Sequence, residues 1–146
     1  MLLVFSPACT KTLKEHPMGE NEKTSRIIVL DSNDELLEAM CKLLERKGHE
    51  VHRTSSLVEL FDALENETFD ILVMEHLPAR NWDLKVVADY IRQERIRNCV
   101  LTSSFVMEDY SESVSALDGT VRWLKRPFKI GSLLAHIESM NGEGGA

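Results

Sequence analysis

Short continuous apolar runs alternate with segments of helical periodicity from Ser25 onward. Continuous apolar runs are typical of parallel strands that are covered on both faces, and apolar residues three or four positions apart are typical of amphipathic helices. The pattern predicts an α/β fold, namely a doubly wound five-stranded parallel sheet with helices on both faces. The predicted strands are 27–30, 50–54, 69–74, 99–102 and 121–124.

Five helices are expected between and after these strands. Residues 31–34 supply capping groups and acidic first-turn side chains for the first helix, which Gly48 ends. Ser56 and Glu59 form a capping-box pattern at the start of the second helix. The helix predicted over 108–117 has the weakest apolar stripe of the five.

The strand and helix pattern defines one domain, at residues 25–140. Residues 1–24 are predicted to be a disordered extension, because their apolar start is too short for an export signal and no positive charge precedes it. The glycine-rich residues 141–146 are predicted to be a flexible tail. No apolar stretch is long enough to span a bilayer, so no membrane association is expected.

Charge and cysteine content narrow the function classes. The net charge is -7 and the pI is about 5.2, without a run of Lys or Arg, which argues against nucleic-acid binding. Cys9, Cys41 and Cys99 are isolated and odd in number. They are interpreted as reduced cysteines of a cytoplasmic protein.

Polar residues of four types lie at or just beyond the ends of the predicted strands. Glu75 ends its apolar run, and a carboxylate at the tip of a buried strand is costly unless it has partners. Because the carboxyl ends of parallel strands meet at one edge, where such sheets bind ligands, these residues nominate a single site. Its members are Asp31, Glu75, Thr102 and Arg126.

Four stretches, in this order, resemble the response-regulator receiver domains of two-component signalling, the CheY-like superfamily. The likeness spans about residues 25 to 139 and implies a flavodoxin-like sheet in the receiver topology. The matching stretches are Ile28-Val29-Leu30-Asp31-Ser32-Asn33, Asp70-Ile71-Leu72-Val73-Met74-Glu75 with Pro78 after it, Leu101-Thr102-Ser103, and Gly119 with Trp123-Leu124-Lys125-Arg126-Pro127-Phe128.

The resemblance implies a metal-binding and phosphoacceptor pocket, in which this chain departs from the family. The first acid of the family's acidic pair is retained as Asp31, but the second is replaced by Ser32. The phosphoacceptor aspartate is replaced by Glu75. No metal is expected here; if Mg²⁺ binds, Asp31 and Glu75 are the predicted ligands.

Three further positions carry family roles. Thr102 is the equivalent of the hydroxyl that contacts the phosphoryl group, Arg126 stands at the conserved lysine, and Trp123 stands at the switch aromatic. Arg and Lys differ in shape and hydrogen bonding. Phosphoryl transfer depends on positioning, and a displacement of about 1 Å can cost about 10²-fold in rate. The departures predict that ordinary phosphotransfer is lost.

The leading hypothesis is a stand-alone degenerate receiver, without enzymatic activity or cofactor, that acts through phosphorylation-independent protein–protein contact. Its partner would be a sensor kinase, another signalling protein or a second copy, bound through the last helix–strand–helix region, 103–140. One alternative is a working phosphoacceptor with Mg²⁺-dependent phosphotransfer. Another is a flavodoxin-like small-molecule binder, but residues 31–35 are acidic where a phosphate needs donors.

Two side-chain arrangements stay open at this stage. Glu75 and Arg126 could form a bidentate pair, which fits either a structural ion pair or a mimic of a phosphorylated state. His76, next to Glu75, is interpreted as facing solvent or the helix behind the strand rather than acting as a general base, since no nucleophile motif accompanies it.

Overall fold

The chain is described by a computed structural model over residues 24–76, 83–104 and 120–145. This part forms a five-stranded sheet of order β2-β1-β3-β4-β5 in which every neighbouring pair is parallel. The predicted doubly wound fold is confirmed. The elements are β1 Arg26–Leu30, α1 Asp34–Arg46, β2 Glu50–Thr54, α2 Leu57–Asn66, β3 Phe69–Glu75, α3 Asp83–Arg92, β4 Ile96–Ser103, β5 Val121–Lys125 and α4 Ile130–Gly145.

Successive strand residues alternate between two apolar cores, one on each face of the sheet. Ile27 and Val29 lie in a core formed with α1 and α4, whereas Ile28 and Leu30 lie in a core formed with α2 and α3. Side chains point to opposite faces with a period of two, so a strand covered on both faces must be apolar throughout. This explains the continuous apolar runs in the sequence.

The predicted helix boundaries have the expected side-chain caps. Asn33 Oδ1 accepts a hydrogen bond from the Leu36 N–H at 3.0 Å, and Ser56 Oγ accepts one from the Glu59 N–H at 3.2 Å. Glu59 completes the second cap by accepting from the Ser55 N–H at 2.9 Å, one residue earlier than in a standard capping box. Gly48 has a φ of 95°, in the left-handed region that favours glycine after a helix.

Several boundaries differ from the sequence prediction. β3 continues to Glu75, β4 starts at Ile96 and ends at Ser103, and α4 runs past residue 140 to Gly145. Polar residues at strand ends can still form the backbone hydrogen bonds of the sheet. Because they do not belong to the apolar run, the length of that run underestimates the length of the strand. The predicted helix over 108–117, the loop containing Pro78 and Trp82, Gly119 and the predicted N-terminal extension through residue 23 lie outside the described residues.

Arg26 ties together the amino edge of the sheet, opposite the nominated site. Its Nε donates to Glu50 at 3.3 Å, its Nη2 to Glu67, and its Nη1 to the Thr68 carbonyl at 2.7 Å. The guanidinium also lies 4.7 Å from the centre of the Phe69 ring. These five residues are called the amino-edge cluster.

None of the helices within the described ranges has the length and apolar character required to cross a membrane.

Candidate functional site

The alternation of side chains along the strands brings four polar positions to one corner of the sheet. Val29 and Val73 lie in the α1/α4 core, so residues two positions further along, Asp31 and Glu75, fall on the same face. Glu75 is in register with Thr102 on the neighbouring strand. Together with Arg126, one residue past β5, they form what is called the carboxyl-edge site.

Arg126 bridges two buried side chains within this site. Its Nη1 donates to Asp31 Oδ2 at 2.9 Å and to Thr102 Oγ1 at 2.8 Å. The Asp31 side chain is 1% exposed and that of Arg126 is 16% exposed, so this ion pair is largely removed from water. The sequence suggested Glu75 as the partner of Arg126, whereas the ion pair found at this guanidinium is with Asp31. A charge-assisted bridge of this kind holds both acceptors in place.

Glu75 is held from the other side by Ser32. Its Oε1 accepts from the Ser32 backbone N–H at 3.1 Å and from the Ser32 hydroxyl at 2.8 Å. The residue at the second acid position therefore donates to the residue at the phosphoacceptor position. An aspartate there would repel Glu75, so the two departures from the receiver pattern are chemically matched.

Three N–H groups in the loop after β1 and in the first turn of α1 donate to groups within the protein. Ser32 N–H donates to Glu75, Asn33 N–H to Asp31 Oδ1 at 2.9 Å, and Leu36 N–H to the Asn33 side chain. A phosphate-cradling loop needs such N–H groups to point at the ligand. The loop has the hydrogen bonding of a helix cap and an acid clamp, which disfavours the flavodoxin-like interpretation.

A divalent metal fits this donor set poorly. Mg²⁺ requires near-octahedral oxygen coordination and usually takes one or two carboxylates with water molecules. Both Asp31 oxygens already accept hydrogen bonds, one of them from a cation, and Glu75 Oε1 accepts two. Across the described ranges, no group of three His, Cys, Asp or Glu side chains could hold a metal ion.

His76 and Trp123 lie on the opposite face of the sheet from the carboxyl-edge site. His76 is fully buried, so it does not face solvent, and its ring meets that of Trp123 edge to face at a centroid distance of 5.6 Å. Its backbone N–H donates to the Thr102 carbonyl at 2.8 Å, which continues the β3–β4 pairing. The alternation from Leu72 through Met74 was the signal that could have placed His76 on the α2/α3 side.

The two described cysteines have no role in the site. Cys41 and Cys99 are fully buried, and burial raises the pKa of the Cys41 thiol to about 11 and that of Cys99 further. Thiols with raised pKa values are poor nucleophiles at neutral pH, because the thiolate is the reactive form. Both act as small apolar residues of the core.

Comparison with known proteins finds receiver-domain structures. A response regulator from Thermotoga maritima superposes with a TM-score of 0.69 and 20% sequence identity, over 82% of this chain and 99% of that chain. The receiver domain of a Francisella response regulator has a TM-score of 0.68 and 15% identity, over 82% of this chain and 98% of its own. A CheY-like receiver domain protein from Methanospirillum hungatei has a TM-score of 0.68 and 18% identity, over 83% of this chain and 96% of its own. Neither a protein-family model nor a curated protein sequence matches the chain. The chain therefore shares the receiver fold.

Proposed function

We propose that this chain is a degenerate receiver domain of two-component signalling, which acts by protein–protein contact without regulated phosphorylation. The proposal starts from the receiver fold and from a carboxyl-edge site whose polar groups are bonded to one another. It treats the chain as a cytoplasmic, non-enzymatic protein. The observation that carries it is the bridge from Arg126 to Asp31 and Thr102.

The bridge supports the proposal because it uses the groups that phosphotransfer would need. A hydroxyl that already accepts from Arg126 and an acid that is already paired with it must both be released before they can serve an incoming phosphoryl group. The nucleophile position is held by two bonds from Ser32. Since phosphoryl transfer relies on pre-positioned charge, each of these bonds adds to the barrier.

The expected partner is a protein, either a sensor kinase or another signalling protein, or a second copy of this chain. Its docking surface would be the 103–140 region, of which β5 and α4 are described. The solvent side of α4 carries the small exposed residues Gly131, Ser132, Ala135 and Ser139. A Cβ added at Gly131 would meet nothing within 4 Å, so another backbone could approach this surface closely.

Intact-mass spectrometry tests the loss of phosphotransfer. The wild-type chain is incubated with Mg²⁺ and phosphoramidate, and its mass is compared with that of the untreated protein. We expect no gain of a phosphoryl group. A gain that maps to Glu75 would instead establish the alternative function, a working phosphoacceptor with an altered site.

A triple variant supplies the positive control. Ser32→Asp, Glu75→Asp and Arg126→Lys together restore the family pattern and should restore phosphorylation under the same conditions. If the triple variant folds and stays unmodified, the assignment of the site residues is wrong. Sedimentation velocity of wild type and Ala135→Arg tests whether the chain forms a homodimer through α4. If it does, the dimer should dissociate in the variant. If wild type is a monomer, the partner is a different protein.

A further inference from the structure

We propose that the Arg126 guanidinium is the resident cation of the carboxyl-edge site, and that it closes the site to divalent metal ions. This inference rests on the proposed function, since it concerns the same site. It addresses a separate question, namely what neutralises the buried carboxylate when no metal is bound.

The burial of Asp31 requires a positive charge nearby. Its side chain is 1% exposed, and an ionised carboxylate in such a position is stable only when it is paired and hydrogen-bonded. Arg126 supplies the charge at 2.9 Å, and the Asn33 N–H satisfies the second oxygen at 2.9 Å. Asp31 therefore has both its charge and its hydrogen bonds satisfied within the protein.

The guanidinium is fixed in this position from its own strand end. The Arg126 backbone N–H donates to the Ser103 carbonyl at 2.8 Å, which extends the β4–β5 pairing to the first residue after the strand. Its guanidinium carbon lies 5.9 Å from the centre of the Phe128 ring, which packs against the α1/α4 core. The backbone bond fixes the point from which the side chain extends, and the guanidinium would lose its bonds to Asp31 and Thr102 and its contact with the Phe128 ring if it left the site.

Metal entry would have to displace the Arg126 bond at Asp31 Oδ2, and a metal at Glu75 Oε1 would also displace bonds from Ser32. The metal would need Asp31 Oδ2 from Arg126, and it would compete at Glu75 Oε1 with the Ser32 N–H and hydroxyl. It would also place a double positive charge beside a guanidinium that stays protonated. While Arg126 is present, the displaced hydrogen bonds and the charge repulsion both disfavour binding of a divalent ion.

The test is a Mn²⁺ titration of the full-length chain, followed by the electron paramagnetic resonance signal of free Mn²⁺. Wild type should bind no Mn²⁺ at concentrations up to about 1 mM, a range in which weak carboxylate sites begin to fill. Arg126→Gln keeps most of the stem and removes the charge. It should bind Mn²⁺ at least about tenfold more tightly than wild type, a difference of about 1.4 kcal/mol.

Arg122→Gln is the matched control, because it removes the same charge from β5, the strand that precedes Arg126, at a position near the opposite end of that strand. It should behave like wild type. Adding Asp31→Asn to Arg126→Gln should abolish the gained binding. Binding by wild type below about 1 mM, equal gains in Arg122→Gln and Arg126→Gln, or no gain in a folded Arg126→Gln would each overturn the proposal.

The outcomes separate this inference from the proposed function. If wild type binds Mn²⁺ but gains no phosphoryl group with phosphoramidate, the resident-cation proposal is overturned and the proposed function is supported. If wild type binds no Mn²⁺ but is phosphorylated, the resident cation is supported and the proposed function is overturned. The wild-type titration decides the first case even if Arg126→Gln does not fold.

Discussion

An arginine ties together each edge of this sheet, and the two differ chiefly in their access to water. At the carboxyl edge, the side chains of Arg126 and Asp31 are 16% and 1% exposed. At the amino edge, those of Arg26, Glu50 and Glu67 are 33%, 32% and 45% exposed. Arg26 makes more ion pairs, yet exposed pairs contribute little, because water and salt screen them.

Burial, rather than the number of ion pairs, decides how much each arginine contributes to the stability of this fold. Removing the cation at the amino edge leaves carboxylates that water can solvate. Removing it at the carboxyl edge leaves the Asp31 carboxyl group enclosed without its cationic partner. The amino-edge cluster therefore links the ends of neighbouring strands, whereas Asp31 and Arg126 form a buried ion pair whose two charges balance.

The largest effect is expected from Arg126→Ala. It strands the buried Asp31 charge and should lower the free energy of unfolding by about 3 kcal/mol, measured by urea denaturation. The double variant Asp31→Asn with Arg126→Met removes both charges and should recover most of that loss. A loss below about 1 kcal/mol in Arg126→Ala would mean that the pair behaves like a surface pair.

Thr102→Val should have the next largest effect. It removes the hydroxyl that accepts from Arg126 and leaves an N–H without that acceptor in a buried place, at a cost of about 1 to 2 kcal/mol in urea denaturation. Thr102→Ser keeps the hydroxyl and should retain the bridge, with only a small loss from the missing methyl group. Equal losses in the two variants would assign the effect to packing instead.

Arg26→Ala tests the other edge. Its exposed pairs predict a loss of about 1 kcal/mol at low salt, including its contact with Phe69, and the loss should shrink at about 1 M NaCl. The Arg126→Ala loss should change much less with salt, because its partner is buried. Equal salt sensitivity of the two variants would mean that the Arg126–Asp31 pair is no better shielded from solvent than the Arg26 pairs.

The smallest effect concerns acid sensitivity from a group outside both clusters. Burial and the positive charge of Arg122 lower the pKa of His136 below its ordinary 6.5. Below pH 6.5 the unfolded chain then binds more protons at this residue than the folded one, so stability should fall as pH falls through this window. His136→Gln should flatten that slope between about pH 7 and about pH 5.5 in urea denaturation. If the slope of stability against pH is unchanged in His136→Gln, other titratable groups cause the acid sensitivity.

The fold was predictable because strands buried on both faces have continuous apolar runs in the sequence. The central residues of β1 and β3 are continuously apolar, at 27–30 and 71–74, and parallel pairing then brings Asp31, Glu75 and Thr102 to one edge. The nearness of these residues to Arg126 follows from topology. It needs no knowledge of side-chain orientation.

The pairing inside the site was not predictable in the same way. Whether Arg126 reaches Asp31 or Glu75 depends on side-chain rotamers and on the turn after β5, which no periodicity encodes. From the sequence, Ser32 is interpreted only as the replacement of an acidic residue. Its hydrogen bond to Glu75 becomes apparent only when the ends of β1 and β3 are placed next to each other. For His76 the sequence left solvent and the helix behind the strand as alternatives, and the alternation from Leu72 through Met74 extends to the buried side that the structure shows.

One expectation combines both proposals: the carboxyl-edge site is complete without a metal or a phosphoryl group. It is tested most directly by the amide NMR spectrum of the full-length chain before and after addition of Mg²⁺ and phosphoramidate together. We expect the amide signals of Ser32, Asn33, Thr102 and Arg126 to keep their positions. Shifts of these signals, spreading to Trp123, would show that the site still binds and responds, and would contradict it.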